Sequence, residues 1–470
     1  MRWSHFIPLR GASTAFWSSL WLASGLIASG ASAQTTPHPA DWAAPVSSSV
    51  TAPPTNTGTP VVPRITLAQL LERAWERQPE ARSADLRRQS LAQARLGSRS
   101  WLAGAPSLLL QAQTDRPGSG QGERELEVGL ALPLWRPGQS AQALATHEAE
   151  TTAHEDQLKL QRWRLAGVVR DAWWHAQRTH MDLLQAQTRV QNARALANDV
   201  ARRVQAGDLA RADQHQAESA VAQALWALAQ AQGAQEAALQ VLRQLSGDWT
   251  LQAAQLGLAD LLSRTPPAEA PQPPVTQPSE ASGTPQNVPH HHPWLIAAQA
   301  REALAYAQAR QAEASRTGPP ELTLLSTRTT GPAGEAGRRS MTVGIQWPFS
   351  VGGPAAQADA QVLAAWSAAT EAESERLLVQ DQLRAHIAQT QARLQSARAQ
   401  WVAAQEHQRL ASETRMFFER SFQMGQTDLP TRLRIEHEAA QAQHALHRAH
   451  IDLWAAWSDW QQALGQSPTE

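Results

Sequence analysis

Apolar residues recur with two different periods along this 470-residue chain, and the alternation of those periods divides it into elements. Val169, Ala176, Leu183, Val190, Ala197 and Val204 fall at seven-residue steps, with Ala172, Ala186, Ala193 and Val200 as a second seam and Thr179 as its one polar interruption. Further on, Ile387, Leu394, Trp401 and Phe422 share one seam, and Leu383, Ala397, Ala404, Ala411 and Phe418 the other. Steps of three and four sustained over several heptads predict long coiled-coil helices. Seams so rich in alanine allow close approach of helices and leave little bulk for a thick core.

Shorter stretches follow period two. Leu126, Val128, Leu130, Leu132 and Leu134 alternate with Glu127, Gly129, Ala131 and Pro133; Met341, Val343, Ile345, Trp347 and Phe349 alternate with Thr342, Gly344, Gln346 and Pro348. One apolar parity against one small or polar parity predicts a half-buried strand. Weaker partners lie upstream at 107–116 and 321–330, joined through Pro117-Gly118-Ser119-Gly120 and Gly331-Pro332-Ala333-Gly334. These are two hairpins of strands about ten residues long, the length that a tilted membrane-spanning β-strand needs.

The pattern occurs twice. Pro79 and Pro106 match Pro293 and Pro320; Val128-Gly129 and Pro133 match Val343-Gly344 and Pro348; Val204 to Gly207, Glu218 and Gly247 match Phe422 to Gly425, Glu436 and Gly465. Each repeat reads helix, hairpin, very long helix, glycine break, helix. The helix expected over 139–206 would be about 100 Å long, and those expected over 79–104 and 209–246 together about 96 Å. Two short helices end to end would therefore match one long one, giving a double wall with Gly207 and Gly425 turning the chain at the end remote from the hairpins.

Proline marks the remaining boundaries. Seven of the 29 prolines fall within 34–63 and nine within 265–293, in stretches rich in Thr, Ser, Ala and Gln that bury too little apolar surface to fold. The expected organisation is a signal peptide over 1–33, a disordered leader over 34–63, a first repeat over 64–264 (hairpin 107–135, helices 139–206 and 209–246), a linker over 265–292 and a second repeat over 293–465 (hairpin 321–349, helices 355–424 and 428–464). The signal peptide is read from Arg2 and Arg10, an apolar run near 15–28, and Ala31-Ser32-Ala33 before the expected cleavage. No later segment is apolar enough for a spanning helix, so any membrane insertion would use β-strands.

Composition narrows the function classes. With 41 basic and 42 acidic side chains the net charge is −1, without the basic surplus of a nucleic-acid binder. Cysteine is absent, which excludes disulfides, thiolate metal sites and a cysteine-linked lipid anchor. No nucleophile elbow, phosphate-cradling glycine loop or His-Glu-x-x-His pair occurs, so no enzyme activity and no cofactor is expected. His290-His291-His292 and the row His437, His444, His447, His450 are read as a solvated face and not as a metal site. Trp454, Trp457 and Trp460 are read as a packing stripe, as are Trp173 and Trp174.

The twofold order, the strand ends Gly129-Leu130-Ala131-Leu132-Pro133 and Gly344-Ile345-Gln346-Trp347-Pro348, and the turns Arg203-Val204-Gln205-Ala206-Gly207 and Phe422-Gln423-Met424-Gly425 give the sequence a resemblance to the TolC family. These are outer membrane factors, the channels of tripartite efflux and type I secretion systems. The resemblance spans about 65–465 and implies a mainly α fold with a small β part. In it, a homotrimer closes a 12-stranded outer-membrane β-barrel on an α-helical periplasmic tunnel. It also implies an inner-membrane pump and a periplasmic adaptor as partners, with drugs or heavy-metal cations among possible cargoes.

On this reading Leu126, Val128, Leu130, Leu132, Met341, Val343, Ile345 and Trp347 face outer-membrane lipid, and Glu127, Gly129, Thr342 and Gln346 line a wet pore. Asp208, Asp213 and Asp428 become entrance or gate candidates, with helix capping as the alternative role. Val204, Gly207, Leu209, Phe422, Gly425 and Leu429 become tip-turn and adaptor-contact candidates. Without cysteine, the barrel alone would hold the protein in the membrane. In place of the usual Tyr and Phe girdles the hairpin ends offer Trp101, Trp135, Trp347 and Phe349. The competing class is a soluble periplasmic coiled-coil adaptor or scaffold, which would share the signal peptide and the heptads.

Overall fold

The seven-residue periodicity forms helices laid side by side, and the period-two stretches form one sheet where two of those helices end and two begin. The computed structural model describes residues 64–114, 124–266, 289–331, 336–349 and 351–468. The expected signal peptide, the leader and nearly all of the linker lie outside the described residues, as do turn residues 117–120 and 332–334.

The elements run α1 (Leu67–Glu76), α2 (Pro79–Ser98), β1 (Ser107–Thr114), β2 (Arg124–Pro133), α3 (Gln139–Ala206), α4 (Arg211–Ser246), a 3₁₀ turn (Ala253–Leu256) and α5 (Leu258–Ser263). The second half gives α6 (Pro293–Ala314), β3 (Glu321–Thr330), β4 (Arg338–Gln346), α7 (Gly353–Gln423) and α8 (Leu429–Ala463). Proline stands in the first turn of α2, α6, α7 and α8, where its missing N–H costs nothing. No helix among the described residues is long and apolar enough to cross a membrane.

α3 is the centre of the wall. It packs against α2 and α4 on one flank and α6 and α8 on the other, and α7 packs in turn against α6 and α8. Of its expected seam, Val169, Ala176, Thr179, Ala186, Val190 and Val200 are buried and the others are half-buried. Alanine seams bring backbones together with little apolar area, and ion pairs across them add register. Arg95–Glu148 (2.5 Å) and Arg88–Glu155 (2.7 Å) join α2 to α3, Arg178–Asp452 (2.5 Å) joins α3 to α8, and Arg376–Glu302 (2.7 Å) joins α7 to α6. Such partly exposed pairs contribute about 0–1 kcal/mol each, so they select alignment more than they hold the wall together.

The thick part of the core lies elsewhere. α2 and α4 have 20 and 36 residues, short of the 68 in α3. At the junction, α1 and the segment following α4 wrap the wall. Leu67, Leu70, Leu71, Leu251, Leu256 and Leu258 close over Val169, Trp173 and Trp174 of α3, Leu239 and Leu242 of α4, and Ile451 of α8. Leu70, Leu242 and Leu251 are almost wholly buried, each stabilising by roughly 1.5–3 kcal/mol. Thr66 starts this collar with a reciprocal cap: its Oγ1 accepts from Gln69 N at 3.2 Å, and Gln69 Oε1 accepts from Thr66 N at 3.0 Å.

A second cluster, built from Leu295, Leu383, Ile387, Leu394, Leu453 and Trp460, joins α6, α7 and α8. At its margin His292 caps α6, with Nδ1 accepting from Trp294 N at 3.1 Å and the ring edge-on to Trp163 at 4.9 Å. Contrary to the solvated face expected from the sequence, His292 is completely buried, because it caps α6 against Trp163. Burial, reinforced by the charge of His386 and opposed by a backbone hydrogen bond at Gln462, lowers it to about 4. His386, His447 and His450 are lowered too, also chiefly by burial.

A base whose folded pKa lies below its unfolded value loses stability as pH falls from the unfolded value toward the folded one, because only the unfolded chain takes up the proton there. For His292 the window runs from about 6.5 to about 4 and is worth up to ~3 kcal/mol. His292→Asn keeps a capping side chain and removes the titration. Its denaturant midpoint is expected to fall less steeply between pH 6.5 and 4 than that of the native chain, and an unchanged slope would refute the assignment.

Candidate functional site

Two regions collect the residues singled out by the sequence: the sheet at one end of α3 and α7, and the helix turns at the other. The sheet is antiparallel throughout, with order β1-β2-β3-β4. Its register aligns the apolar parity in rows: Leu108↔Leu130↔Leu324↔Val343, then Leu110↔Val128↔Ser326↔Met341, with Leu132↔Leu322↔Ile345 nearer the helices. Residues directly opposite share a face. The candidates Leu126, Val128, Leu130, Leu132, Met341, Val343 and Ile345 therefore lie on one surface, which is largely exposed. The other face carries Gln111↔Glu127↔Thr327↔Ser340 and Gln113↔Glu125↔Thr329↔Arg338.

Trp347 falls outside this register. β4 begins at Arg338, ahead of the expected Met341, and ends at Gln346, because Pro348 and Pro320 follow and precede the last pair Glu321↔Gln346 and neither can donate to the ladder. Trp347 remains exposed, with the Arg136 guanidinium 5.4 Å from its ring centroid. β2 likewise ends at Pro133, leaving Leu134 in a single bridge with Leu102. Gly129 sits on the polar face between Leu109 and Leu325. A Cβ there would meet Leu325 Cδ2 at 2.5 Å, so the leucine side chain fills the space that glycine leaves and would have to turn aside for a larger residue.

At the remote turns Gly207 (φ 90°) and Gly425 (φ 78°) occupy the left-handed region with open space around them, so backbone conformation alone selects glycine. Asp208 N donates to Arg203 O (2.9 Å) and Gln426 N to Ser421 O (3.0 Å), closing the two helix ends. Phe422 and Leu429 are each 2% exposed and form the tip's own core with Val200 and Ala217, against which Val204 and Leu209 pack. What the second turn offers outward is Gln423, Met424, Gly425, Gln426 and Asp428.

Sequence reasoning missed the partners of Phe422. The Arg203 guanidinium lies 4.6 Å from its ring centroid and that of Arg432 lies 4.4 Å away. Arg203 comes from α3 and Arg432 from α8, so one ring links the first helical hairpin to the second. Arg203 is oriented by Asp199 one turn earlier (3.2 Å). The two arginines occupy unrelated repeat positions, so the internal alignment gave no signal for them.

The three aspartates have separate environments. Asp213 Oδ2 accepts from Ala210 N at 3.1 Å, supplying the acidic half of a capping box that Ala210 cannot reciprocate. Asp428 is the N-cap residue of α8 without a side-chain cap bond, and both it and Asp208 are exposed at the turn. The histidine row is divided among different partners: His437 with Gln441, His444 with Asp182 (2.7 Å) and His450 with Trp454. Among the described residues no three His, Cys, Asp or Glu side chains are grouped to hold a metal.

No family model matches the sequence, and no curated protein matches it at a significant level. Solved structures match the fold. The outer membrane protein VceC from Vibrio cholerae is 16% identical with a TM-score of 0.64, the match covering 85% of this chain and 96% of that one. The Campylobacter jejuni CmeC outer membrane channel is 14% identical with a TM-score of 0.65, covering 85% of each chain. The open state of the Neisseria gonorrhoeae MtrE outer membrane channel is 18% identical with a TM-score of 0.60, covering 85% of this chain and 89% of that one. This chain therefore has the fold of these outer membrane proteins, in which its long helices adjoin a four-stranded antiparallel sheet.

Phe422→Leu keeps an apolar side chain at the tip and removes both cation–π contacts, each worth about 0.5–1 kcal/mol at a partly exposed site. Faster amide exchange is expected at both turns, 203–211 and 420–432, although only one was altered. Unchanged exchange at the first turn would exclude the coupling.

Proposed function

We propose that this chain is a TolC-type outer membrane factor, a passive channel in which copies of the chain join side by side to close a β-barrel on a helical tunnel. The observation that carries the reading is the sheet itself. β1 and β4 have no strand partner on their outer edges among the described residues, one face is apolar and exposed, and the other holds Glu125, Glu127, Gln111 and Gln113. Strand edges in lipid must be paired, and only closure pairs all of them.

The helices are compatible with the same joint. α7 exposes Leu363, Leu378 and Phe417, and α2 and α4 expose Leu86 and Trp226. Seating the α7/β4 side of one copy on the α2/β1 side of the next is a head-to-tail contact that closes into a ring. Three copies would give twelve strands, the number implied by the family resemblance. The likeness to CmeC and MtrE, described as outer membrane channels, supports the location and the transport role.

In this reading no chemical step is assigned. A pump and a periplasmic adaptor deliver cargo at the helix tips, and the tunnel conducts it outward. Asp208 and Asp428 stand at the mouth, and ring closure repeats each of them around it, concentrating negative potential and favouring cations. Asp213 contributes less, because its carboxylate is engaged by Ala210 N.

Detergent-extracted protein is expected to have a mass of three chains and to form discrete conductances in planar bilayers. A soluble monomer would instead support the scaffold class. In the conducting protein, Asp208→Asn with Asp428→Asn is expected to lower the cation-to-anion permeability ratio, with Asp213→Asn having the smaller effect. Equal ratios in all variants would dismiss the entrance role.

A further inference from the structure

The apolar face of the sheet ends in arginine. Arg328 of β3 is paired directly with Arg339 of β4, and Arg124 of β2 is paired with Thr330, one row further from the helices. All three are on the parity of Leu126, Val128, Met341 and Val343, and all three are exposed. Directly opposite side chains have Cβ atoms about 4.5–5.5 Å apart, and the diagonal from Arg328 to Arg124 spans about 7–8 Å. Like charges so placed repel, and no ion pair to any of them is present among the described residues.

Charge is sorted between the two faces. The strand acids Glu125, Glu127 and Glu321 all lie on the opposite parity, as does the fourth arginine, Arg338. The apolar face of the strands thus holds three cations and no anion. It is also bounded at both ends. From Arg339 to the exposed Trp347, just beyond the end of β4, is eight residues, about 27 Å along the chain and about 21 Å along a barrel axis at a tilt of about 40°, somewhat less than the ~25 Å apolar band of a barrel.

We infer that Arg124, Arg328 and Arg339 form a binding surface for the phosphate headgroup of an anionic lipid, whose acyl chains lie along Leu108, Leu110, Val128 and Leu324. A guanidinium pair matches phosphate oxygens through two parallel N–H donors, and the anion relieves the Arg328–Arg339 repulsion. The leucine-rich rows below supply the apolar half of the same ligand, which a free phosphate ion cannot use. This inference depends on the membrane-barrel reading above.

The test uses the full chain reconstituted into phosphatidylcholine vesicles, alone or doped with phosphatidic acid, with lipid retention read by native mass spectrometry after extraction. Native protein is expected to retain phosphatidic acid preferentially, and added inorganic phosphate to compete only weakly. Arg124→Gln/Arg328→Gln/Arg339→Gln is expected to lower that retention by about tenfold or more, as lost charge-assisted hydrogen bonds imply, while still inserting into phosphatidylcholine. Arg338→Gln, on the other face, is expected to leave retention unchanged. Retention unaffected by the triple variant, or lost equally in Arg338→Gln, overturns the inference and leaves the barrel reading standing. Failure of native protein to insert into either vesicle overturns both.

Discussion

Backbone hydrogen bonding along β1 and β4 governs the rest of the molecule. Among the described residues each strand has a strand neighbour on one edge only, and the apolar face beside the other edge is suited to lipid, where water cannot complete the bonds. A monomer of this kind has no low-energy arrangement in a bilayer. The ring proposed above has one, and forming it would also cover exposed apolar residues of α7 and of α2 and α4. On the reading proposed above the sheet calls for the ring, and the helices would follow it because β2 runs into α3 and β4 into α7 with only a few intervening residues.

Away from the sheet, stability comes from different sources at different heights. The alanine seams of α3 give close contact over little area, so the collar of α1, the 3₁₀ turn and α5 provides most of the thick apolar packing. Nearer the sheet a buried imidazole and its tryptophan neighbour stand beside the leucines of the second cluster. At the tips a single phenyl ring between two guanidiniums does the joining. On the channel reading proposed above, a wall must keep one side for solvent and cannot thicken everywhere, which favours compact joints at a few levels over a continuous core.

The element types were legible in the sequence because both periods are long and clean. Seven-residue steps from Val169 to Val204 correspond to one unbroken helix, and the alternation from Leu126 to Leu132 to one face of β2. The strand ends were less legible. Hydrophobic parity continues through Trp347, but Pro348 and Pro320 stop the ladder, and a backbone constraint overrides a side-chain pattern. The collar was missed because α1 is ten residues long and its burial depends on α3 and α4, far away in sequence. The Phe422 sandwich and the arginine row were missed for a related reason. Each is made by residues from separate strands or helices whose meeting depends on register, and no single stretch contains the signal.

The pairing of β2 with β3 has a consequence for how such a chain reaches its destination. Val128 lies opposite Ser326, with all of α3, α4 and α6 between them in the chain. Each hairpin can form locally and early, but the central seam of the sheet waits until the second repeat has been made and brought back alongside the first. During that interval the two greasy ribbons are half the width of the finished surface and far apart. If the chain reaches a membrane as proposed above, the delay limits the sticky area presented to water on the way and makes completion of the wall the event that readies the chain for insertion.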